Sequence, residues 1–304
     1  MAFESSEISL DGGVADVSYR SQQWPQTEFN GHTAATALMS IGDPESGPYM
    51  GLSVVTPDDE DSWTRTHSHR TDQFRVNMRG TCRAVGRHVL RPGEFAFQES
   101  GMLYREGIGG RDDDVWSFLA LGDRRGAQGR VPRGDNGNPK GFDIPEEARK
   151  AFEEAAASMP GGVKGIPRVV TTLGSCRQGY LAGSFADAGA DGQGWRALTP
   201  GVDAAAGAWG DEASGPVVLL LHAAPRSVAL PRLATGTESV FLVVGGSCVV
   251  GEAELSTGDL RVTAPDVPLN TVMAGDDGLD AVFLVADRRA LPAVDGDAVW
   301  QEAI

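Results

Sequence analysis

Cysteine is scarce in this sequence, and the sequence has no long apolar run. The three cysteines, Cys82, Cys176 and Cys248, show neither disulfide-like nor metal-like spacing, so we interpret them as free thiols of a reducing compartment. The apolar run Val217–Leu221 is far shorter than the roughly 18 residues that a membrane span needs. The first residues have neither the basic region nor the apolar stretch of a signal peptide. We therefore predict a cytoplasmic protein with no membrane partner.

Basic residues are also in the minority. Lys and Arg number 26 against 42 Asp and Glu, which gives a formal net charge of −16. An acidic chain without a basic stripe repels nucleic acid, so we predict no nucleic-acid partner. The 304 residues suffice for two domains of ordinary size. The 40 glycines and 17 prolines are typical of a loop-rich all-β protein.

The chain does contain two histidines two residues apart, His67 and His69. Because strand side chains alternate, both imidazoles lie on one face and can point into one cavity. The surrounding pattern is H-x-H-x3-Q-x6-G over residues 67–80, followed by G-x7-G-x2-Y over residues 93–104.

These patterns resemble the two signature motifs of the cupin superfamily, H-x-H-x3-E-x6-G and G-x5-P-x-G-x2-H. The spacing agrees at every position, but Gln73 replaces the ligand Glu, Glu99 the Pro, and Tyr104 the third ligand His. The resemblance implies an all-β jelly-roll barrel, the double-stranded β-helix. It also implies one divalent transition metal (Zn, Fe, Mn or Ni), with His67, His69, Gln73 and Tyr104 as its candidate ligands.

The motif region is repeated later in the chain. An offset of 165 residues aligns Gln73 with Glu238 and Gly93 with Gly258, and roughly fifty residues match without a gap. Self-similarity at a fixed offset predicts a duplicated architecture, here two tandem cupin barrels, a bicupin.

The second copy lacks the ligand-type residues of the first. At the same offset the two histidines and Tyr104 become, in order, Arg232, Ala234 and Leu269. We therefore expect no metal in the C-terminal barrel and place any chemistry in the N-terminal one.

Turn-forming residues divide the chain into segments. Residues 1–45 are predicted as leader strands that pair with the partner barrel, 46–122 as the N-terminal barrel, 123–165 as a linker with a helix at 144–159, and 166–304 as the C-terminal barrel. A Gly- and Ala-rich insertion at 186–215 is predicted as loops. The predicted strands are Tyr49–Thr56, Trp63–His69, Gln73–Met78, Cys82–Leu90, Glu94–Gln98, Val115–Leu121, Val217–His222, Ser239–Val244, Cys248–Glu252, Asp259–Thr263, Asn270–Ala274 and Ala281–Ala286.

The strand after the histidines alternates in chemistry. Gln73, Arg75 and Asn77 share one parity, so all three face the cavity if Gln73 does. The cavity is then polar and contains a cation suited to a carboxylate, phenolate or enolate. The positions 165 residues later are mostly apolar, which predicts a packed core in the second barrel: Glu238, Val240 and Leu242.

Two chemistries fit these residues. A metal site needs the imidazoles of His67 and His69, and Glu99 or Glu106 is a candidate for the missing carboxylate. Metal-free acid–base chemistry uses the same imidazoles, which titrate near neutral pH, and Tyr104 as a proton donor or oxyanion partner.

Three functions follow from this reading. The leading hypothesis is a lyase, isomerase or cyclase step on an anionic or polyoxygenated metabolite, with or without help from a metal. The alternatives are a metal-dependent (Fe, Ni, Mn or Cu) dioxygenase and a non-catalytic small-molecule-binding bicupin. A homodimer also stays open, since cupins often dimerise through sheet edges. The assigned roles are catalytic for His67, His69 and Tyr104, and substrate-binding for Gln73, Arg75, Asn77 and Glu99.

Overall fold

Strands form nearly all of the regular structure in the computed structural model of the chain. The structure describes residues 10–19, 26–29, 32–55, 62–63, 67–84, 88–104, 107–109, 114–127, 170–171, 180–189 and 194–291. The helix predicted at 144–159 lies outside these residues. No helix in the described part is long and apolar enough to cross a membrane.

The strands fall into two successive groups along the chain, accompanied by short 3-10 helices. Strands β1–β11 are Val14–Ser18, Gln26–Phe29, His32–Ser40, Tyr49–Val55, Ser62–Trp63, Gln73–Arg79, Thr81–Ala84, His88–Leu90, Glu94–Gln98, Gly107–Gly109 and Val115–Leu121. Strands β12–β21 are Val170–Thr171, Tyr180–Ser184, Arg196–Thr199, Val202–Ala208, Val217–Ala223, Val228–Leu230, Ser239–Val250, Ala253–Ser256, Asp259–Thr263 and Val272–Val285. The 3-10 helices are Asp11–Gly13, Arg124–Gly126, Phe185–Asp187 and Arg288–Ala290.

Antiparallel pairing assembles the strands into two barrel-like halves. The first half has a seven-stranded sheet in the order β13-β9-β6-β11-β4-β3-β2 and a four-stranded sheet in the order β5-β10-β7-β8. The second half has one sheet, β1-β20-β18-β21-β16-β15-β12, extended by β14, β17 and β19. The predicted all-β, two-barrel fold class is confirmed.

The two halves exchange strands. Strand β1, which precedes the first half, pairs with β20 of the second, from Ser18 opposite Asp259 to Val14 opposite Thr263. Strand β13, which precedes the second half, pairs with β9 of the first. Of the leader strands, β1 therefore joins the partner sheet, whereas β2 and β3 stay in the first sheet.

Several predicted strands agree with the structure closely, and others merge or divide. The segments predicted at Glu94–Gln98, Val115–Leu121 and Asp259–Thr263 have those bounds. In the second half, the strands predicted at Ser239–Val244 and Cys248–Glu252 form the single strand β18. The strands predicted at Asn270–Ala274 and Ala281–Ala286 form the single strand β21. Pairing between β18 and β21 continues through register shifts near Gly245 and Gly246, so these glycines bend the strand without ending it.

The two large sheets pack face to face over a shared core. Alternate residues of β6, β9 and β11 meet alternate residues of β18, β20 and β21, and aromatic side chains dominate the contact. Phe74 lies 5.5 Å from Trp209 between ring centroids, and Phe97 lies 6.0 Å from Trp209. A second core fills the interior of the second half, built from the opposite face of the same strands.

Reciprocal hydrogen bonds join the halves beside the shared core. The Asp72 carboxylate accepts the backbone N–H of Gly210 at 3.1 Å. The Glu238 carboxylate accepts the backbone N–H of Gly42 at 3.0 Å. Glu238 is therefore the counterpart of Asp72.

The constant offset of 165 is therefore wrong for the histidine motif. The bridge between His67 and Tyr104 recurs as a bridge between Leu233 and Leu269. His67 thus corresponds to Leu233, one residue beyond the Arg232 that the offset gives. Loops of slightly different length between the strands shift the register, while Tyr104 does correspond to Leu269 as predicted.

The insertion predicted as loops, 186–215, contains strands β14 and β15. Strand β15 lies between β16 and β12 in the large sheet, so it is part of the wall of the second half. Its small residues have a packing reason: a Cβ built on Gly207 would lie 2.3 Å from the Phe97 ring of the opposite sheet. Glycine here allows a close approach between two sheets, although by its composition alone the segment resembles a loop.

We predict that Gly207→Ala destabilises the protein, because the added methyl group overlaps Phe97 in a filled core. Overpacking of this kind costs about 1–3 kcal/mol in the free energy of unfolding, measured by urea denaturation. Gly236→Ala is the matched control, since its Cβ would meet nothing closer than 3.4 Å. Equal stability of the two variants would contradict the packing described here.

Candidate active site

Strand β6 has two buried faces of opposite chemistry. Alternate residues from Phe74 to Met78 belong to the shared core. The residues between them, Gln73, Arg75 and Asn77, point the other way, into the first barrel, and none is more than 6% exposed. The inward orientation of Arg75 is the one that strand alternation predicts.

The three rings predicted as catalytic meet in one cluster inside that barrel. Backbone hydrogen bonds of 2.9 Å in both directions join His67 to Tyr104 and set their rings side by side. Ring centroids are 4.4 Å apart for His67 and Tyr104, 5.3 Å for His67 and His69, and 6.2 Å for His69 and Tyr104. All three side chains are buried.

A backbone carbonyl fixes the protonation of His69. Its Nδ1 lies 2.6 Å from the carbonyl oxygen of Ala127. A carbonyl oxygen can only accept a hydrogen bond, so Nδ1 carries the proton and Nε2 keeps its lone pair. The carbonyl is held by the 3-10 helix Arg124–Gly126, whose Gly126 oxygen accepts the N–H of Arg70 at 3.1 Å.

Burial keeps His69 neutral. It lowers the pKa of His69 to about 3, and the nearby positive charge of His67 (when protonated) and Arg75 acts in the same direction. The hydrogen bond to Ala127 acts in the opposite direction and is the weaker effect. At neutral pH the ring is therefore a base or a ligand through Nε2.

Tyr104 connects the ring cluster to strand β6. Its hydroxyl donates to the Gln73 side-chain oxygen at 3.1 Å. The Arg75 guanidinium carbon lies 5.8 Å from the centroid of the Tyr104 ring, within the range of a cation–π contact. A phenol, an amide and a cation thus adjoin the two imidazoles.

The fold that carries this cluster is also known from solved structures. It is similar to that of a "putative dioxygenase" from Nostoc punctiforme, a bicupin, with a TM-score of 0.55 and 12% identity over 93% of this chain and 85% of that chain. The chain has the bicupin fold. Oxalate decarboxylase from Bacillus subtilis gives a TM-score of 0.49 with 13% identity, covering 90% of this chain and 76% of that chain. Hazelnut (Corylus avellana) vicilin gives 0.48 with 9% identity, covering 88% and 84%. No protein-family model and no curated protein matches the sequence.

The second barrel of this bicupin has an apolar interior where the first has the ring cluster. Matching strand pairs place Phe241 opposite Phe283, whereas Arg75 is opposite Leu119 in the first barrel. On the following strand of each sheet, Leu219 lies opposite Phe283 in the second barrel, and Gly51 lies opposite Leu119 in the first. Arg75 therefore corresponds to Phe241 rather than to Val240, which faces the shared core. The predicted apolar interior is present, though built from other residues than predicted.

Two further predicted residues occupy less central places. The Asn77 side-chain nitrogen donates to the backbone oxygens of Gly80 at 2.5 Å and Leu90 at 3.0 Å, so a ligand would find only its oxygen. Glu99 is half-buried in the turn before Met102. Glu106 lies outside the described residues.

Sequence reasoning missed Gln98 and the Ala127 carbonyl. Gln98 lies directly opposite Gln73 across strands β9 and β6, so both side chains share the interior face. The alternation along β9 indicates this orientation, because Phe95 and Phe97 face the shared core and Gln98 therefore faces inward. A backbone carbonyl leaves no such signal, since its position depends on the fold of a distant loop.

The donors of the cluster are a poor match for a divalent metal. His67 and His69 supply imidazoles, whereas the Gln73 oxygen already accepts a hydrogen bond from Tyr104. Among the described residues, no group of three or more His, Cys, Asp and Glu side chains is arranged to hold a metal ion. Two imidazoles without a carboxylate hold such an ion weakly, so these residues do not fit a tightly bound resident metal.

We predict that His69 makes stability depend on pH between 6.5 and 3. In this window the unfolded chain protonates an imidazole that the folded chain keeps neutral, so stability falls as pH falls, by up to about 1.4 kcal/mol per pH unit. His69→Asn removes the titration and keeps an N–H donor for Ala127. Urea unfolding from pH 7.5 to 4.5 should show the stability difference between wild type and variant shrinking toward low pH. Parallel curves would refute this role of burial.

Proposed function

We propose that this bicupin is a small-molecule enzyme whose first barrel catalyses a non-oxidative proton-transfer step, of the lyase, isomerase or cyclase type, on an anionic or polyoxygenated metabolite. One observation carries the proposal. The first barrel buries two imidazoles, a phenol and a guanidinium around one interior, where the second barrel buries Leu233, Phe241 and Leu269. Polar groups are costly to bury, so a barrel stable with an apolar core gains nothing structurally from them.

The roles follow from the hydrogen bonds. His69 offers the lone pair of Nε2 as a general base, because Ala127 holds its other nitrogen protonated. The negative charge of a bound anionic substrate beside the ring raises the pKa that burial lowers, which strengthens the base when substrate is present. Tyr104 is the proton donor to the substrate oxygen that gains charge, once it turns from Gln73. Arg75 offsets the negative charge, and His67 packs against Tyr104 and holds its ring.

The proposed step moves one proton and shifts two electron pairs in the substrate. His69 Nε2 takes a proton from a substrate carbon, and the C–H electron pair forms a new C=C bond. The electrons displaced move onto a carbonyl oxygen, giving an enolate, or leave with a substituent on the next carbon. Return of the proton to another atom completes an isomerisation, and loss of the substituent completes an elimination.

We expect solvent deuterium to exchange into the substrate. Wild-type protein in D2O, screened by proton NMR against 2-keto, 2-hydroxy and 3-hydroxy acids and aldoses, should exchange or convert one class. Tyr104→Phe and His69→Asn should each slow this reaction by roughly 10²- to 10⁴-fold, the usual contribution of a positioned acid or base.

The matched control is His222→Asn, which alters a side chain that is 45% exposed and paired with Asp280 in the second barrel. This variant should react at the wild-type rate. Full activity in both first-barrel variants would overturn the proposal. Specific binding of a compound class with no exchange or conversion would favour the non-catalytic bicupin.

The second candidate is a metal-dependent dioxygenase. It is supported by the convergence of His67 and His69, by the free Nε2 of His69, and by the description of the Nostoc punctiforme neighbour as a "putative dioxygenase". The lack of a carboxylate among the described donors stands against it.

Metal content and oxygen uptake separate the two candidates. We expect protein purified without an affinity tag to contain less than one equivalent of transition metal, because two imidazoles bind weakly. We also expect no oxygen consumption with any compound that the exchange screen identifies. Near-stoichiometric iron, nickel, manganese or copper together with oxygen uptake would reverse the ranking.

A further inference from the structure

Gln98 marks a part of the first barrel that the proposed roles leave unused. It lies on β9 directly opposite Gln73 on β6, and Phe97 beside it points into the shared core. Residues directly opposite on antiparallel strands project from the same face, so the Gln98 and Gln73 amides are neighbours inside the barrel. Their side chains are 4% and 2% exposed.

Both amides present a buried donor. Within the described part of the chain, the side-chain nitrogens of Gln73 and Gln98 have no hydrogen-bond partner. Because the Gln73 oxygen accepts from Tyr104, its nitrogen is directed away from that hydroxyl. Buried N–H groups are rarely left without an acceptor, so two of them on neighbouring strands indicate that a ligand supplies one.

Arg75 adds a positive charge in the next row of the sheet. It shares the inward face of β6 with Gln73 and is 6% exposed. An acceptor that meets two amide N–H groups and a guanidinium is best a planar anion with two oxygens. A carboxylate has this charge and shape.

We propose that Gln98, Gln73 and Arg75 form a carboxylate-binding subsite, so that the substrate of the first barrel is a small carboxylic acid. The choice of substrate class rests on the proposed function, since it places the reacting carbon between this subsite and the rings of His69 and Tyr104. The hydrogen bond from Tyr104 to Gln73 makes the subsite adjoin the acid–base cluster. The reacting carbon therefore lies one or two bonds from the carboxylate, as in 2- or 3-oxygenated acids.

The subsite is tested by binding without turnover. Titration calorimetry and saturation-transfer NMR with acetate and lactate should show binding to the full-length protein. Lactamide, the neutral isostere of lactate, should bind at least tenfold more weakly. Inorganic phosphate should bind no better than lactamide, and tighter binding of phosphate than of lactate would overturn the carboxylate assignment.

Gln98→Met removes the N–H donors and keeps a side chain of similar length. It should weaken lactate binding at least tenfold while leaving the affinity for lactamide unchanged. Gln98→Glu, which places a like charge beside the ligand, should abolish lactate binding and serves if the Met variant does not fold. Thr263→Val is the matched control, because Thr263 is opposite Ser239 in the second barrel as Gln98 is opposite Gln73. Unchanged lactate binding in folded Gln98 variants would refute the subsite.

Kinetics distinguish failure of the subsite from failure of the proposed function. With a substrate from the exchange screen, Gln98→Met should raise KM at least tenfold and lower kcat by less than threefold. Binding that depends on Gln98 without exchange would retain the subsite and reject the enzyme. Exchange confined to compounds that lack a carboxylate would retain the enzyme and reject the subsite.

Discussion

The alternation of side chains along strand β6 is the constraint on which the rest of the structure depends. One face of the strand packs against the other half of the molecule, through Phe74 and Val76. The other face places Gln73 and Arg75 inside the first barrel. Because the aromatic face is fixed against a complementary sheet, the polar face cannot slip by one residue without burying a charge in the shared core. The packing between halves thus orients the residues of the candidate site.

The same scaffold is used twice with different contents. In both halves a 3-10 helix begins after an aspartate cap, Asp123 or Asp287, and carries an arginine that donates to carbonyls of a neighbouring loop. In the first half the residue after this helix holds His69 through its carbonyl oxygen. In the second half the residue that corresponds to His69 is Thr235. The capped 3-10 helix and its arginine are thus common to both halves, and the histidine distinguishes the first barrel.

Local patterns determined much of the fold and part of the site. Strand bounds such as Glu94–Gln98 and the inward direction of Arg75 follow from turns and alternation, which are properties of short segments. The motif resemblance implies that His67 and Tyr104 face one cavity, and the bridge between the two residues brings their rings together.

What sequence could not provide depends on distant contacts. The match of Glu238 to Gln73 was wrong because loop lengths change the register between repeats, and the hydrogen bonds to Gly42 and Gly210 identify Glu238 with Asp72. The sequence of strand β15 predicts a loop, because its glycine and alanines are typical of flexible segments when they are considered alone. Their small size is required by Phe97, a residue more than a hundred positions earlier.

The reciprocal exchange of β1 and β13 has a consequence for how the chain matures. During synthesis the first sheet lacks its edge neighbour for β9 until Tyr180–Ser184 has left the ribosome. Conversely, Val14–Ser18 emerges early and waits for a partner that ends at Thr263. Neither half completes its hydrogen bonding alone, so a gene cut between the barrels would yield two pieces that each expose an unpaired strand and an aromatic surface. Such pieces would associate with one another through these surfaces, or aggregate.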